Sequence, residues 1–328
     1  MNDGVLEDLT LSVVIPTHRR CHLLTRVLEP LLADEAVDEI IVVVDGDLDG
    51  SFMLLQEKAL KSAKLRPILR AQSGGAQRAR ADGLEQATGE LVLFLDDDVL
   101  ASEDLGAHHR ALHRHREAVV GVGYMPVRPL ERTTADAFSS VLYGVEYEGR
   151  CVAYEEDPHE ILRSLWWGNV SMRRADVMKV GLISGGPTML YHEDQDFGLR
   201  CLEAGFLGVF DRGAAATHLH QRDLDGFVRD ALSQGRGMVI IHERHREIMG
   251  PLDPADFEIG LGPFLALIVR LGSVPSRGRF LCRLLTGVTR LLGRCHLFRL
   301  QLRAAKLLRR VGQSTGAATM WEETAFSA

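Results

Sequence analysis

The sequence predicts an α/β protein with a mainly parallel central sheet flanked by helices and a helical C-terminal extension. Three observations carry that reading. Residues 11–15, 40–44 and 91–95 are short runs rich in Val, Ile or Leu, the pattern of strands buried on both faces. Residues 23–33, 52–62 and 76–87 are stretches of helix length set between them. Strands and helices in this alternation need crossover connections, which set the strands parallel.

The first run closes on Pro16 and Thr17, the second on Asp45, and the third on Asp96, Asp97 and Asp98. Ligands of open α/β sheets collect beyond the carboxyl ends of the strands, so three strand ends direct polar groups at one rim. Residues 121–190 are less periodic and richer in turns and aromatics. A helix over 193–204, stopped by Gly205, resumes the pattern, and helical segments follow beyond about Asp225. There is no internal repeat and no low-complexity tract.

Composition excludes several classes. A chain of 328 residues with 46% hydrophobic and 25% charged residues can build a large core and is not a disordered chain. Its five cysteines are scattered, with no CxxC pair, so neither a disulfide framework nor a cysteine zinc site is expected and a reducing compartment fits. No basic segment leads into an apolar run at the start, so a cytoplasmic location is expected. The most apolar segment, 259–269, contains Gly260, Gly262 and Pro263 and is too short to span about 30 Å of hydrocarbon. The net charge of −7 conceals a basic tail: eleven Arg or Lys and no Asp or Glu lie between Glu258 and Glu322.

Asp96, Asp97 and Asp98 are the most informative residues. Three adjacent carboxylates repel one another and need a cation or many donors to coexist, and hard oxygen ligands suit Mg²⁺ or Mn²⁺ with diphosphate oxygens and water. The competing reading is a solvated acidic turn. Glu193, Asp194 and Asp196 open a predicted helix, where carboxylates complement the dipole; a catalytic base could use the same place. His218 and His220, alternating along an extended segment, would put both imidazoles on one side as metal ligands, against the more ordinary reading of structural histidines. Trp166 and Trp167 offer flat aromatic faces for stacking on a ligand, though paired tryptophans are at least as often core or rim packing.

Taken in order, these residues resemble the inverting family 2 glycosyltransferases with the GT-A fold. The resemblance covers roughly residues 12–221. It rests on Ser12-Val-Val-Ile-Pro-Thr17 with Arg19, Ile41-Val-Val-Val-Asp45 with Asp49-Gly-Ser51, and Gly74-Gly75 with Ala79-Arg80 and Gly83. It continues through Gly89-Glu90, Phe94-Leu-Asp-Asp-Asp98, Gly168-Asn169, and Glu193-Asp194 with Arg200. The chain departs from the family at Ala81, where Asn is usual, and in the spacing of acids between Asp45 and Ser51.

The resemblance implies a catalytic domain over 1–225, donor-binding at about 10–120 and acceptor-binding at about 121–225, with 226–328 a helical basic region. Pro16, Thr17, Arg19, Asp45, Arg80, Asp96 and Asp97 would bind a nucleotide-sugar donor. Asp96 and Asp98 match the DxD motif and, with His218 or His220, would hold Mn²⁺ or Mg²⁺. Asp194, beside Glu193, matches the proposed general base, and Trp166, Trp167, Gly168 and Asn169 stand where the family recognises its acceptor, a glycan or lipid-linked saccharide of cell-envelope synthesis. A metal-dependent nucleotidyltransferase and a non-catalytic nucleotide-sugar scaffold are the alternatives. Gly74-Gly75 lacks the GxxxxGK[ST] phosphate cradle, which argues against a P-loop enzyme.

Over 280–311 a single helix is expected. Leu281, Leu284, Leu285, Val288, Leu291, Leu292 and Cys295 recur at helical spacing, with Arg279, Arg283, Arg290 and Arg294 on another stripe. Such a helix either packs on the catalytic domain or attaches peripherally to anionic lipid at the inner face of the membrane. Nucleic acid is not expected, because the basic residues lack interleaved aromatics.

Overall fold

The computed structural model describes residues 9–128, 136–185 and 189–327. The chain divides into two compact units. The first comprises Met1–Val127, Tyr147–Gly185 and Phe197–Leu219, and the second Arg128–Glu146, Gly186–Asp196 and His220–Ala328.

In chain order the elements run β1 (Leu11–Thr17), α1 (Cys21–Ala33), β2 (Glu39–Asp45), α2 (Ser51–Ala59), β3 (Leu65–Arg70), α3 (Ala76–Gln86) and β4 (Leu91–Leu95). Next come β5 (Val99–Ala101), α4 (Leu105–His113), β6 (Val119–Tyr124), α5 (Ala137–Glu156), α6 (His159–Arg163), β7 (Asn169–Arg173) and α7 (Arg174–Val180). Then follow α8 (Glu193–Glu203), β8 (Leu207–His218), α9 (Leu224–Arg244) and α10 (Arg246–Met249). After a 3₁₀ turn at Pro254–Glu258, α11 (Pro263–Gly272), α12 (Pro275–Arg294) and α13 (Phe298–Ser327) complete the described chain.

The first unit holds an eight-stranded sheet in the order β3-β2-β1-β4-β7-β6-β8-β5. Every residue of β1, β2 and β4 is buried, as their unbroken apolar runs require. Strands β3, β2, β1 and β4 are mutually parallel, and α3 lies close on β1 and β2: a Cβ on Gly83 would stand 2.5 Å from Val14 Cγ1 and 3.2 Å from Val43 Cγ2. The mainly parallel sheet expected from the sequence is present, with two reversed strands: β7 runs antiparallel to both β4 and β6, and β5 antiparallel to β8. The sheet is mixed. Strand β7 enters it after the long helical excursion of α5 and α6, and its first residue, Asn169, pairs with Leu95 at the end of β4.

The second unit has its own core, in which Phe138 and Phe227 meet edge to face at 5.3 Å beside Val239, Val269, Cys282, Leu308 and Val311. Helices α9 and α13 touch backbone to backbone. A Cβ on Gly235 would collide with the Gln313 carbonyl, one on Gly316 with the Leu232 carbonyl, and one on Gly312 would lie 2.7 Å from Ala231 Cβ. The single helix predicted over 280–311 is two helices. α12 ends at Arg294, His296 takes the left-handed conformation (φ 57°), and the Leu297 N–H returns to the Leu292 carbonyl, closing the helix end before α13 begins. No described helix is long and apolar enough to cross a membrane.

Candidate functional site

Strands β1 and β4 are neighbours, so Thr17 and the three aspartates emerge at the same rim. Thr17, the last residue of β1, donates from Oγ1 to Asp97 Oδ2 at 2.7 Å. Asp96 Oδ1 accepts from Arg80 Nη2 at 2.7 Å; Arg80 is buried, with its guanidinium 5.2 Å from the centre of the Trp167 ring. Asp98 is gripped from two sides, by Arg20 Nη1 at 3.1 Å and by His218 Nε2 at 3.3 Å. The second contact follows from strand register: β5 pairs antiparallel with β8, Val99 faces His218, and the Leu219 N–H donates to the Asp98 carbonyl at 2.8 Å.

The three carboxylates differ in environment. Burial and the negative charge of Asp98 push Asp97 up to about 7, against the hydrogen bond from Thr17. Asp45, at the end of β2, moves the other way. Burial acts to raise it, but the Gly74 N–H, Ser73 Oγ, the Gly75 N–H and Arg70 together hold it below the usual carboxylate range. Those four partners engage both oxygens, so Asp45 anchors the loop before α3. Arg19 is exposed at φ 55°, just after Pro16 and Thr17 close β1.

The quartet at 166–169 also separates. Trp167 is core: its ring meets Phe94 at 5.1 Å and Phe197 at 5.0 Å, leaving no face for a sugar. Asn169 is core too, because its Oδ1 lies 2.8 Å from His109 Nε2 and its Nδ2 donates to the Ala214 carbonyl. Trp166 is half-buried, tilted against Tyr147 with Arg150 over its ring at 4.7 Å. Gly168 has φ 110°, and a Cβ there would meet Met125 Sδ at 2.9 Å and Asp96 Oδ2 at 3.1 Å. Its carbonyl accepts from the Asp96 N–H. Beneath the quartet, Ser171 Oγ lies 2.7 Å from His109 Nδ1 and 2.8 Å from His113 Nε2, and burial lowers these histidines to about 4 and about 3.

The remaining predicted residues belong to the second unit. Glu193 and Asp194 occupy the first turn of α8, half-buried, and Asp194 Oδ1 accepts from the Gln195 N–H. Asp196 is fully buried and paired with Arg244 at 2.8 Å and His245 at 3.0 Å, fixing that turn to the end of α9. His192, just before the turn, has φ 70°. His220 stacks on Tyr143 at 4.3 Å; the extended segment has ended at His218, so the two imidazoles do not share one strand face.

Among the described residues no three His, Cys, Asp or Glu side chains form a cation cage. Asp98 and His218 are nonetheless an oxygen and a nitrogen donor facing each other, the kind of pair that phosphate oxygens and water complete around Mn²⁺ or Mg²⁺. Sequence reasoning missed Arg20 and the cradle of Arg70 and Ser73 around Asp45. The pair Arg19-Arg20, separated from the end of β1 by a single residue, was the available signal for the first; the second has no local signal.

Residues 12–165 match the family model described as Glycosyl transferase family 2. The chain is 24% identical over 255 residues to the uncharacterized glycosyltransferase YfnE of Bacillus subtilis, covering 63% of this chain and 64% of that protein. It is 26% identical over 242 residues to the galactofuranosyltransferase GlfT2 of Mycobacterium tuberculosis, covering 66% and 38%. It thus spans less than two thirds of the length of either relative. Among solved structures, the mannosyltransferase PcManGT from Pyrobaculum calidifontis, in complex with GDP-Man and Mn²⁺, superposes with a TM-score of 0.57 at 15% identity, over 95% of this chain and 89% of that one. The mixed sheet and the rim of carboxylates after β4 agree with these likenesses: the chain has the GT-A fold of the PcManGT structure, and just under half of it matches the family 2 glycosyl transferase model.

Proposed function

We propose that the chain transfers a sugar from a nucleotide-diphosphate donor to an acceptor hydroxyl with inversion, and that the donor binds at the rim of Thr17, Arg80, Asp96, Asp98 and His218. The observation that carries this reading is the meeting of Asp98, in the turn before β5, with His218, at the end of β8, beside a carboxylate tethered by a buried arginine. Pro16 and Thr17 wall the nucleoside. Arg80 fixes Asp96 toward the ribose. Asp98 and His218 hold a divalent cation, which when bound supplies positive charge to the departing diphosphate. The Mn²⁺ and GDP-Man in the PcManGT structure support that choice of cation and donor class.

Asp194 is the base that accepts the acceptor hydroxyl's proton as that oxygen attacks the anomeric carbon, with Glu193 beside it. The first turn of a helix favours an ionised carboxylate, the form a base requires. The acceptor is a glycan or lipid-linked saccharide. Thermal melting with a panel of nucleoside diphosphates and nucleotide sugars, in Mn²⁺, Mg²⁺ or EDTA, tests the donor site without an acceptor. The expected result is a metal-dependent rise with one nucleotide that Asp98→Ala abolishes. A rise of equal size in Asp98→Ala, or none with any diphosphate, would sink the assignment.

A further inference from the structure

Successive residues of a helix turn by about 100°, which sorts α12 into distinct faces. Gly278, Cys282 and Thr289 share one face and are buried. On the opposite side Phe280, Leu284, Val288 and Leu291 fall within an arc of about 80°, and they are 65%, 54%, 40% and 60% exposed. Arg279, Arg283 and Arg294 edge that arc and form no ion pair with a described residue, whereas Arg290 is bridged to Asp225. Helix α11 adds Phe264 and Leu267, exposed as well. A single exposed leucine is ordinary; four large apolar side chains in one arginine-edged stripe are not.

We propose that α12 is an interfacial helix that lays this stripe into the headgroup region of an anionic lipid bilayer. Charge selects the occupant. From residue 259 to 321 the chain carries eleven Arg or Lys and no Asp or Glu; Arg270, Arg290 and Arg309 are bridged to acids outside that stretch, while Arg279, Arg283 and Arg294 leave the edge of this stripe complementary to a negatively charged surface. An apolar arc edged along one side by arginines, on a helix unable to span a membrane, is an arrangement that lies along an interface. The purpose of the contact rests on the acceptor reading above, since an acceptor carried on lipid is met at that surface; the contact itself does not.

The test is co-sedimentation of the full chain with phosphatidylglycerol vesicles and with phosphatidylcholine vesicles, without donor or acceptor. Binding to the anionic vesicles is expected to weaken with salt and to fall roughly fivefold for each of Arg279→Ser and Arg283→Ser. Leu284→Asp with Leu291→Asp, both at exposed positions, should lose binding at least tenfold while melting temperature and nucleotide response stay as in the wild type. Wild-type binding by that double variant would overturn the proposal, as would equal binding to both lipids. So would a dimer that the same two changes convert to monomer without any vesicle binding, which assigns the face to a second copy. A vesicle-binding failure with an intact nucleotide response leaves the donor site standing, and the reverse outcome separates them equally.

Discussion

Arg80 reaches from α3 to Asp96 with a 2.7 Å ion pair while its guanidinium rests against Trp167, so the acid after β4 is held from within the core. A hydrogen bond to a charged group is worth about 1.5–3 kcal/mol, and Arg80→Ala is expected to lower stability by about that much. The same variant should also weaken the nucleotide-induced rise in melting temperature, because Asp96 is left without its tether. Urea denaturation and the thermal panel read the two effects separately.

Gly168→Ala tests the close approach of two strand ends. A φ of 110° is strained for any residue with a Cβ, and that Cβ would press on Met125 and Asp96. A loss of about 1–3 kcal/mol is expected, with donor binding impaired. Unchanged stability would show that β7 can reposition without disturbing the rim.

Replacing Asp194 with Asn keeps its shape and removes its basicity. Turnover is expected to fall by roughly 10²–10⁴, with the nucleotide response intact. The check pairs a single-turnover transfer assay with the melting panel; retained turnover would remove Asp194 from the chemistry.

The buried pair His109 and His113 gives the fold a defined acid sensitivity. Their folded values, about 4 and about 3, lie below the ordinary value of 6.5, so between roughly pH 6.5 and 4 the unfolded chain binds more protons. Stability present above pH 6.5 is therefore lost as pH falls through this window, by up to about 1.4 kcal/mol per pH unit for each histidine. Urea midpoints at pH 7, 6 and 5 should show that slope. His109→Gln with His113→Gln should flatten it, whatever the change in absolute stability.

The first half of the sheet was legible because β1, β2 and β4 are buried on both faces and so are written as unbroken apolar runs. Strands β6 and β7 are not written that way. Gly121 in β6 makes room for Ser171 and His113, and β7 begins with an asparagine committed to His109, so neither carries the apolar run of a buried strand. The acidic triplet was legible as a rim of carboxylates at the end of β4. Its pairing with His218 depends on the β5–β8 register, which no local pattern encodes. Trp167 and Asn169 sit within a recognisable motif yet serve packing, because strand alternation and a local turn decide which way each side chain faces.

The glycine seam between α9 and α13 has a mechanical meaning. Where backbones meet with no side chains between them, nothing can repack to let one helix slide along the other. The pair then behaves as a single beam, and the end of the chain is a strut rather than an appendage. Cutting the chain ahead of α13 would strip α9 of the surface its glycines were shaped to receive, so deletion is the wrong instrument for asking what the last hundred or so residues do.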